Sequence, residues 1–435
     1  MKKITALLIA ALLALSLCGC EQIEQLKQIE LPTPSVEPSE EPSPEPTPEA
    51  SEEPEATPEP TPEAAEPSSY VTISIGEHKE TYYAPDDENQ LILDFSYETP
   101  TVHIYGNDAA SEKINDFIAA MDEEYYTGSN YAEGGYGVGI NGMLDMAYDN
   151  LSYVRENNVE ANLTLASNRT VLVARADEKL ISLLYNDYSY TGGIHGIYGY
   201  TGYIFDTETG EQLTLDKLAP DLDAFKTWLT AAMVEKVNSD DELKQSLTVD
   251  DVETALAALI REGSWYLDDE GLTVFSSVYE IAPYAAGVIN FKFSYDEIAP
   301  YIDSKWLPAA RTGSGELEAL ALDALPEGTE IIDKVTVDSG ETQLCIKVSG
   351  AVYNVSVCSV EYADFDSRFY TTGEHWYCSY MKDSAIQLET MIPDGIPNLM
   401  VSYTDADGVN HSKLVSQSGM DGSFLLIDDN IEVLG

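Results

Sequence analysis

Positive charge, histidine and cysteine are all scarce in this chain: 22 lysines and arginines stand against 77 aspartates and glutamates, with five histidines and five cysteines. So few cations argue against nucleic acid as a partner, because phosphate binding rests on Lys and Arg. Cys18 and Cys20 fall in the first twenty residues; Cys345, Cys358 and Cys378 show no CxxC spacing, and the nearest histidine, His375, stands alone. No zinc site is expected from that pattern. Three is an odd number, so at least one thiol lacks an intramolecular partner; buried free thiols are expected, with one disulfide between two of them as the alternative. His78, His103, His195, His375 and His411 are dispersed, and GxSxG, HExxH and P-loop motifs are absent. No cofactor, no metal and no catalytic residue is therefore assigned, and the expectation is a protein that is not an enzyme. The longest apolar run, Ile4 to Leu17, is too short to span a bilayer as a permanent helix.

What is present begins with that run. Lys2 and Lys3 precede it and Leu17-Cys18-Gly19-Cys20 ends it, which resembles a bacterial lipoprotein signal cut before Cys20, the lipid-bearing residue. An ordinary secretory signal cleaved nearby is the alternative. Residues 1–19 are then the signal peptide. Residues 20–69 are a lipidated cysteine and linker, and acyl chains hold the protein to the outer face of the bacterial membrane at about 0.8 kcal/mol per methylene. Twelve of the 21 prolines lie between Pro32 and Pro67, among glutamates, serines, threonines and alanines. Such a segment forms no core; it extends as polyproline II at about 3.1 Å per residue, a spacer on the order of 100 Å. A proline-rich docking ligand is the rival use. Fourteen glutamates face one lysine in residues 20–68, yet the formal charge of the whole chain is −55, so most of the acidity sits on the folded part. An anionic surface steers basic ligands inward and repels anionic polymers.

Beyond Tyr70, VTISI, LILDFSY and VHIY alternate as strands. Asp108 opens an expected helix carrying Ile114, Phe117, Ile118, Met121 and Tyr125 on one face; Tyr126 to Gly142 reads as a glycine-rich loop and Met143 to Asn157 as a second helix. VEANLTLA, TVLVARA and LISLLYNDYSY read as strands. DTETG, Asp206 to Gly210, reads as a hairpin turn between YIF and QLTL. A helix follows from about Leu222 to Val237, then a third capped by Thr248 and stopped by Gly263, then a late antiparallel group from Trp265 to Tyr295. Helices in blocks without βαβ alternation make residues 70–310 an α+β domain of antiparallel strands with packed helices. Residues 311–435, with strands such as TQLCIKV, VYNVSVCSVEY and HWYCSYM and no strong helix pattern, are expected to form an all-β sandwich or barrel-like domain. Asp405, Asp407 and Asn410 look like part of a calcium loop but lack the later glutamate, and read as a hairpin turn.

The most distinctive stretch is YSYTGGIHGIYGYTGY, Tyr188 to Tyr203, where tyrosines interleave with glycines. Tyrosine offers large contact area at low entropy cost, and glycine lets backbone adopt positive φ. Tyr188, Tyr190, Thr191, Gly192, Gly193, His195 and Tyr198, with Pro283 and Tyr284 of the APY segment, are the candidate ligand-binding residues. Cross-strand aromatic packing is the alternative use of the tyrosines. His195 could be set beside Asp187 or Asp206 as a general base, but a lone histidine in a glycine-rich turn more often holds structure; paired carboxylates for glycoside hydrolysis are too numerous among 77 acidic residues to single out.

SYTGGIHG at Ser189 to Gly196, FDTETGEQLTLDKL at Phe205 to Leu218 and VYEIAPYAAG at Val278 to Gly287 together resemble the extracellular domain of RsiV-type, lysozyme-sensing anti-sigma factors, found also at the front of PdaC-type polysaccharide deacetylases. The resemblance covers roughly Tyr70 to Ile302. It implies an α+β fold outside the cell and, from the anti-sigma members, lysozyme binding. The deacetylase metal motif has no counterpart among the dispersed histidines. The expectation is a non-enzymatic surface lipoprotein whose partners are the membrane, through its lipid, and a protein or cell-wall ligand, a basic wall hydrolase such as lysozyme among the candidates. The alternatives are an envelope glycan-processing enzyme or accessory, and a structural or adhesive surface module.

Overall fold

The computed structural model describes residues 69–128, 139–159, 164–338, 340–363, 368–393, 395–428 and 431–432. The expected signal peptide, Cys20 and the proline-rich linker lie outside them. All fall within one compact unit, Pro62–Gly435. The fold is an α+β region with packed helices followed by a sheet-rich C-terminal part.

Two long strands, β1 (Val71–Ala84) and β2 (Asp87–Ile104), form an antiparallel hairpin. Helix α1 (Asp108–Thr127) follows. Its cap is Asn107, not Asp108: the Asn107 side chain accepts from the amide of Ala110, and Asp108 sits in the first turn. Ile114, Ile118 and Tyr125 are buried at helical spacing, and Gly128, at φ 72°, closes the helix by donating to the carbonyl of Glu124. Most of the expected 126–142 loop lies outside the described residues; the chain is helical to Thr127 and again from Gly139, where α2 (Gly139–Asn157) starts. VEANLTLA and TVLVARA contribute to one strand, β3 (Leu165–Ala176), with residues 160–163 outside the described set.

Strands β4 (Leu180–Tyr190) and β5 (Ile197–Asp206) complete the hairpin of the tyrosine-rich stretch. The DTETG turn forms as expected, with Gly210 at φ 69° donating to the Asp206 carbonyl at 2.8 Å. QLTL does not become a strand. Only Gln212 bridges back to Phe205, because Leu213 and Leu215 are drawn into the helical core and the chain turns into α3 (Leu215–Leu218).

Helices α4 (Leu222–Ser239), α5 (Asp241–Ser246) and α6 (Val252–Leu259) pack over a separate three-stranded sheet, β6 (Trp265–Leu267), β7 (Gly271–Ser276) and β8 (Ile289–Ser294). Phe225, Leu229, Met233, Leu256, Leu259, Val274 and Phe291 make one buried cluster. Thr248 does not cap α6: Asp251, nearer its start, accepts from the Thr254 amide, while the Thr248 amide donates to Ile281.

In the C-terminal part, β9 (Gly315–Ala321) was not visible in the sequence pattern, and two expected strands are one continuous strand, β11 (Thr342–Ala363). Gly350, at φ 77°, divides that strand. Before it β11 pairs with β9 and β13 (Ser384–Thr390); after it β11 pairs with β12 (Arg368–Lys382) and β14 (Leu399–Thr404). Strand β15 (Asn410–Gln417) follows the Asp405 turn, whose carboxylate accepts from the amides of Asp407 and Val409, and β16 (Phe424–Ile427) closes that edge.

β12 also pairs with β1, Thr72 opposite Cys378 and Ser74 opposite Trp376. A single sheet of order β16-β15-β14-β11-β12-β1-β2-β3-β4-β5 therefore crosses the joint near Arg311. Cys345, Cys358 and Cys378 are all buried free thiols on its strands. Among the described residues, no helix is long and apolar enough to cross a membrane, and no group of three or more His, Cys, Asp or Glu is placed to hold a metal ion.

Candidate functional site

The tip between β4 and β5 meets the 277–287 loop that joins β7 to β8. The loop is fastened before it presents anything. Glu280 accepts from the Ser277 amide at 2.8 Å and pairs with Arg261 at 2.7 Å, Ile281 is held by the Thr248 amide, and Ile281 and Ala282 are buried anchors. Pro283 is exposed and starts a short 3-10 turn, Tyr284–Ala286, that brings Tyr284 back towards the tip.

There the rings converge. The His195 imidazole lies on the Tyr284 phenol, 3.9 Å between centroids and 16° between planes, and Tyr198 meets Tyr284 edge-on at 5.8 Å. His195 Nδ1 faces the Gly196 carbonyl at 2.9 Å, which can only accept, so this nitrogen donates and Nε2 is left to accept from the Tyr279 hydroxyl at 3.3 Å. Tyr279 is 57% exposed and has φ 66°, a left-handed conformation that a bulky residue adopts only when its surroundings impose it. It is the member of the patch that sequence reasoning left out; nothing local marks it, since the requirement for positive φ comes from loop closure.

The other expected residues divide between presenting and shaping. Tyr188 is exposed and its ring lies against Gly196, where a Cβ would stand 2.4 Å from it. Tyr190 donates to the Gly193 carbonyl at 3.0 Å, which closes the tip, and Gly192 and Gly193 have φ of 100° and 107°. Thr191 is half-buried in that bend. The two aspartates considered for His195 are engaged elsewhere: Asp187 in a bidentate pair with Arg169 at 2.6 and 3.0 Å, Asp206 with Lys305 at 3.2 Å.

A second feature has no sequence signature. β2 and β3 run in parallel register only from Leu93–Leu165 to Tyr97–Arg169. Past that point the amides of Val171 and Val173 are met by carboxylates instead: Glu98 Oε2 at 2.7 Å and Glu374 Oε2 at 3.3 Å. Burial raises both glutamates to a pKa of about 7 against these bonds. They line a cavity of about 430 Å³ between the β3–β5 and the β11–β12–β14–β15 parts of the long sheet.

Residues 213–296 match the model of a family described as "Protein of unknown function (DUF3298)". That segment runs from the end of the DTETG turn through α3–α6 and the three-stranded sheet. Two solved structures are similar in outline. A DUF3298 family member from Bacteroides fragilis is 18% identical, covers 54% of this chain and 94% of its own, with a TM-score of 0.42. A DUF3298 family protein from Pseudomonas aeruginosa PAO1 is 15% identical, covers 55% of this chain and 97% of its own, with a TM-score of 0.37. No curated protein matches.

Proposed function

We propose that this chain is a lipid-anchored protein of the outer membrane face that binds a basic protein of the envelope, without chemistry of its own, through the patch formed by His195, Tyr198, Tyr279 and Tyr284. The observation that carries this reading is Tyr279, exposed and held at φ 66° beside the His195–Tyr284 stack. Strain of that kind is maintained by the fold around it, here by the Glu280 clamp and the buried Ile281. Exposed, pre-positioned aromatic rings are the usual anchors of protein interfaces. The acidity of the chain, −55 overall, favours a cationic partner and fast, salt-sensitive encounter. The resemblance to the lysozyme-sensing domain makes lysozyme the first partner to test.

The test is binding of the full chain to lysozyme at low and at physiological salt, with Tyr279→Ala and Tyr284→Ala beside it. The expected result is binding that weakens with salt through a slower association rate and falls at least tenfold in either variant. Absence of binding at both salts would remove lysozyme, and undiminished binding by both variants would remove the patch.

A further inference from the structure

We propose that the cavity between the β3–β5 and the β11–β12–β14–β15 parts of the long sheet is a binding site for a small organic ammonium ion that also carries hydroxyl groups. Its lining is one-sided. Glu98, Glu374 and Asp269 contribute carboxylates, and among the described residues no lysine, arginine or histidine lines it. Asp269 already has its cation outside the cavity, Arg311 at 2.9 Å, and also receives the Asn354 amide. Among the described residues, Glu98 and Glu374 are met by the two β3 amides and, for Glu374, by Ser356. Asn186 adds an acceptor: its Oδ1 atom is buried in the wall with no hydrogen-bond partner among the described residues. Carboxylates without a lining cation match a ligand that brings positive charge, and an ammonium supplies three donors with it. The threonine, serine and asparagine side chains around the acids, such as Thr170, Ser402 and Asn410, suit hydroxyls on the rest of the molecule.

The two glutamates act on one place, since they meet amides two residues apart on the same edge of β3, those of Val171 and Val173. Burial disfavours ionisation of both carboxylates, Glu98 adds to the effect at Glu374, and Glu77 adds to it at Glu98. The titratable groups around Glu374 also include Cys358 and Tyr377, both driven towards their neutral forms by burial. An ammonium between the carboxylates reverses this balance, so binding near neutral pH displaces protons from Glu98 and Glu374 to solvent. Entry is open at the rim, where Thr372 and Asn410 are exposed.

The test is calorimetric titration of the full chain with glucosamine and with glucose, which differ in one ammonium for one hydroxyl. It is run at pH 7 in two buffers of different ionisation heat, and again at pH 5. Glucosamine is expected to bind with proton release, at least tenfold more weakly at pH 5, and glucose not to bind. Glu98→Gln and Glu374→Gln are each expected to lower the affinity at least tenfold, with circular dichroism confirming that they fold. Equal binding of both sugars, no heat from either, or binding of glucosamine without proton release would overturn the proposal, and none of these outcomes depends on a variant. Full affinity in folded Glu98→Gln/Glu374→Gln protein would do so as well.

Discussion

The carboxylate of Glu98 accepts the backbone amide of Val171 at 2.7 Å on the edge of β3 that β2 has just left, so a side chain replaces a strand as the partner of that amide. Glu374 does the same for Val173. Both groups have a pKa of about 7 in the fold against 4.5 when unfolded. The folded state therefore holds protons that the unfolded state has lost. The contribution of these groups is complete below about pH 4.5 and disappears as pH rises through 7. We predict a melting temperature that falls between pH 5 and pH 8, by the equivalent of roughly 2 kcal/mol per group. Glu98→Gln/Glu374→Gln should flatten that slope, and a slope equal to the wild type would refute the assignment.

The three cysteines of the folded part should be chemically silent. Burial pushes the Cys378 thiol up to about 12 and raises Cys345 and Cys358 as well, and thiol reactivity follows the thiolate fraction. Titration with an aromatic disulfide reagent at pH 8 should label none of Cys345, Cys358 and Cys378 in the native protein and all of them in denaturant. Mass mapping of the labelled peptides separates them from Cys18 and Cys20, and rapid native labelling at any of the three would contradict their burial.

Gly202 is where β5 meets β6. Its amide donates to Gly263 at 2.9 Å, and a Cβ would stand 2.0 Å from the Trp265 carbonyl. The obstacle is backbone, which cannot swing aside, so Gly202→Ala should cost roughly 3 kcal/mol. Gly199, three residues earlier on the same strand, has only Ser277 Oγ near, at 3.9 Å. Gly199→Ala should be neutral or stabilising by about 0.5 kcal/mol. Chemical denaturation of the pair distinguishes close approach from a general intolerance of side chains on β5.

Tyr279→Gly separates strain from contact. Removing a left-handed tyrosine relieves about 1 kcal/mol, while its hydrogen bond to His195 sits on an exposed surface and contributes little to folding. The variant should melt at or above the wild-type temperature and yet lose the binding proposed for the patch. A marked loss of stability instead would mean that Tyr279 is there to hold the loop.

What could be read locally in the chain follows from interactions that close within a few residues. The helical spacing of Ile114, Ile118 and Tyr125, the DTETG turn with its glycine, and the alternation of Val102, His103 and Ile104 at the end of β2 are all of this kind. Even there, competition between neighbours misplaced details: Asn107 takes the cap expected of Asp108, and Asp251 the one expected of Thr248. The tyrosines and glycines from Tyr188 to Tyr198 marked the tip of the patch because their composition is itself unusual.

The chain's own order of residues determined which stretches carry helical spacing or turn chemistry, how scarce its cations are, and that tyrosines and glycines gather between Tyr188 and Tyr203. Only the tertiary structure decided that Tyr279 comes to His195 from 84 residues away, that β1 pairs with β12, and that Glu98 and Glu374 share one cavity. Those outcomes depend on which strand edges remain unpaired after local structure has formed. β12 offers an edge to β1, and β3 parts from β2 at Arg169. An unpaired amide in the interior must find an acceptor wherever the fold supplies one, and here the acceptors came from β2 and from β12, 201 residues after the amide it meets.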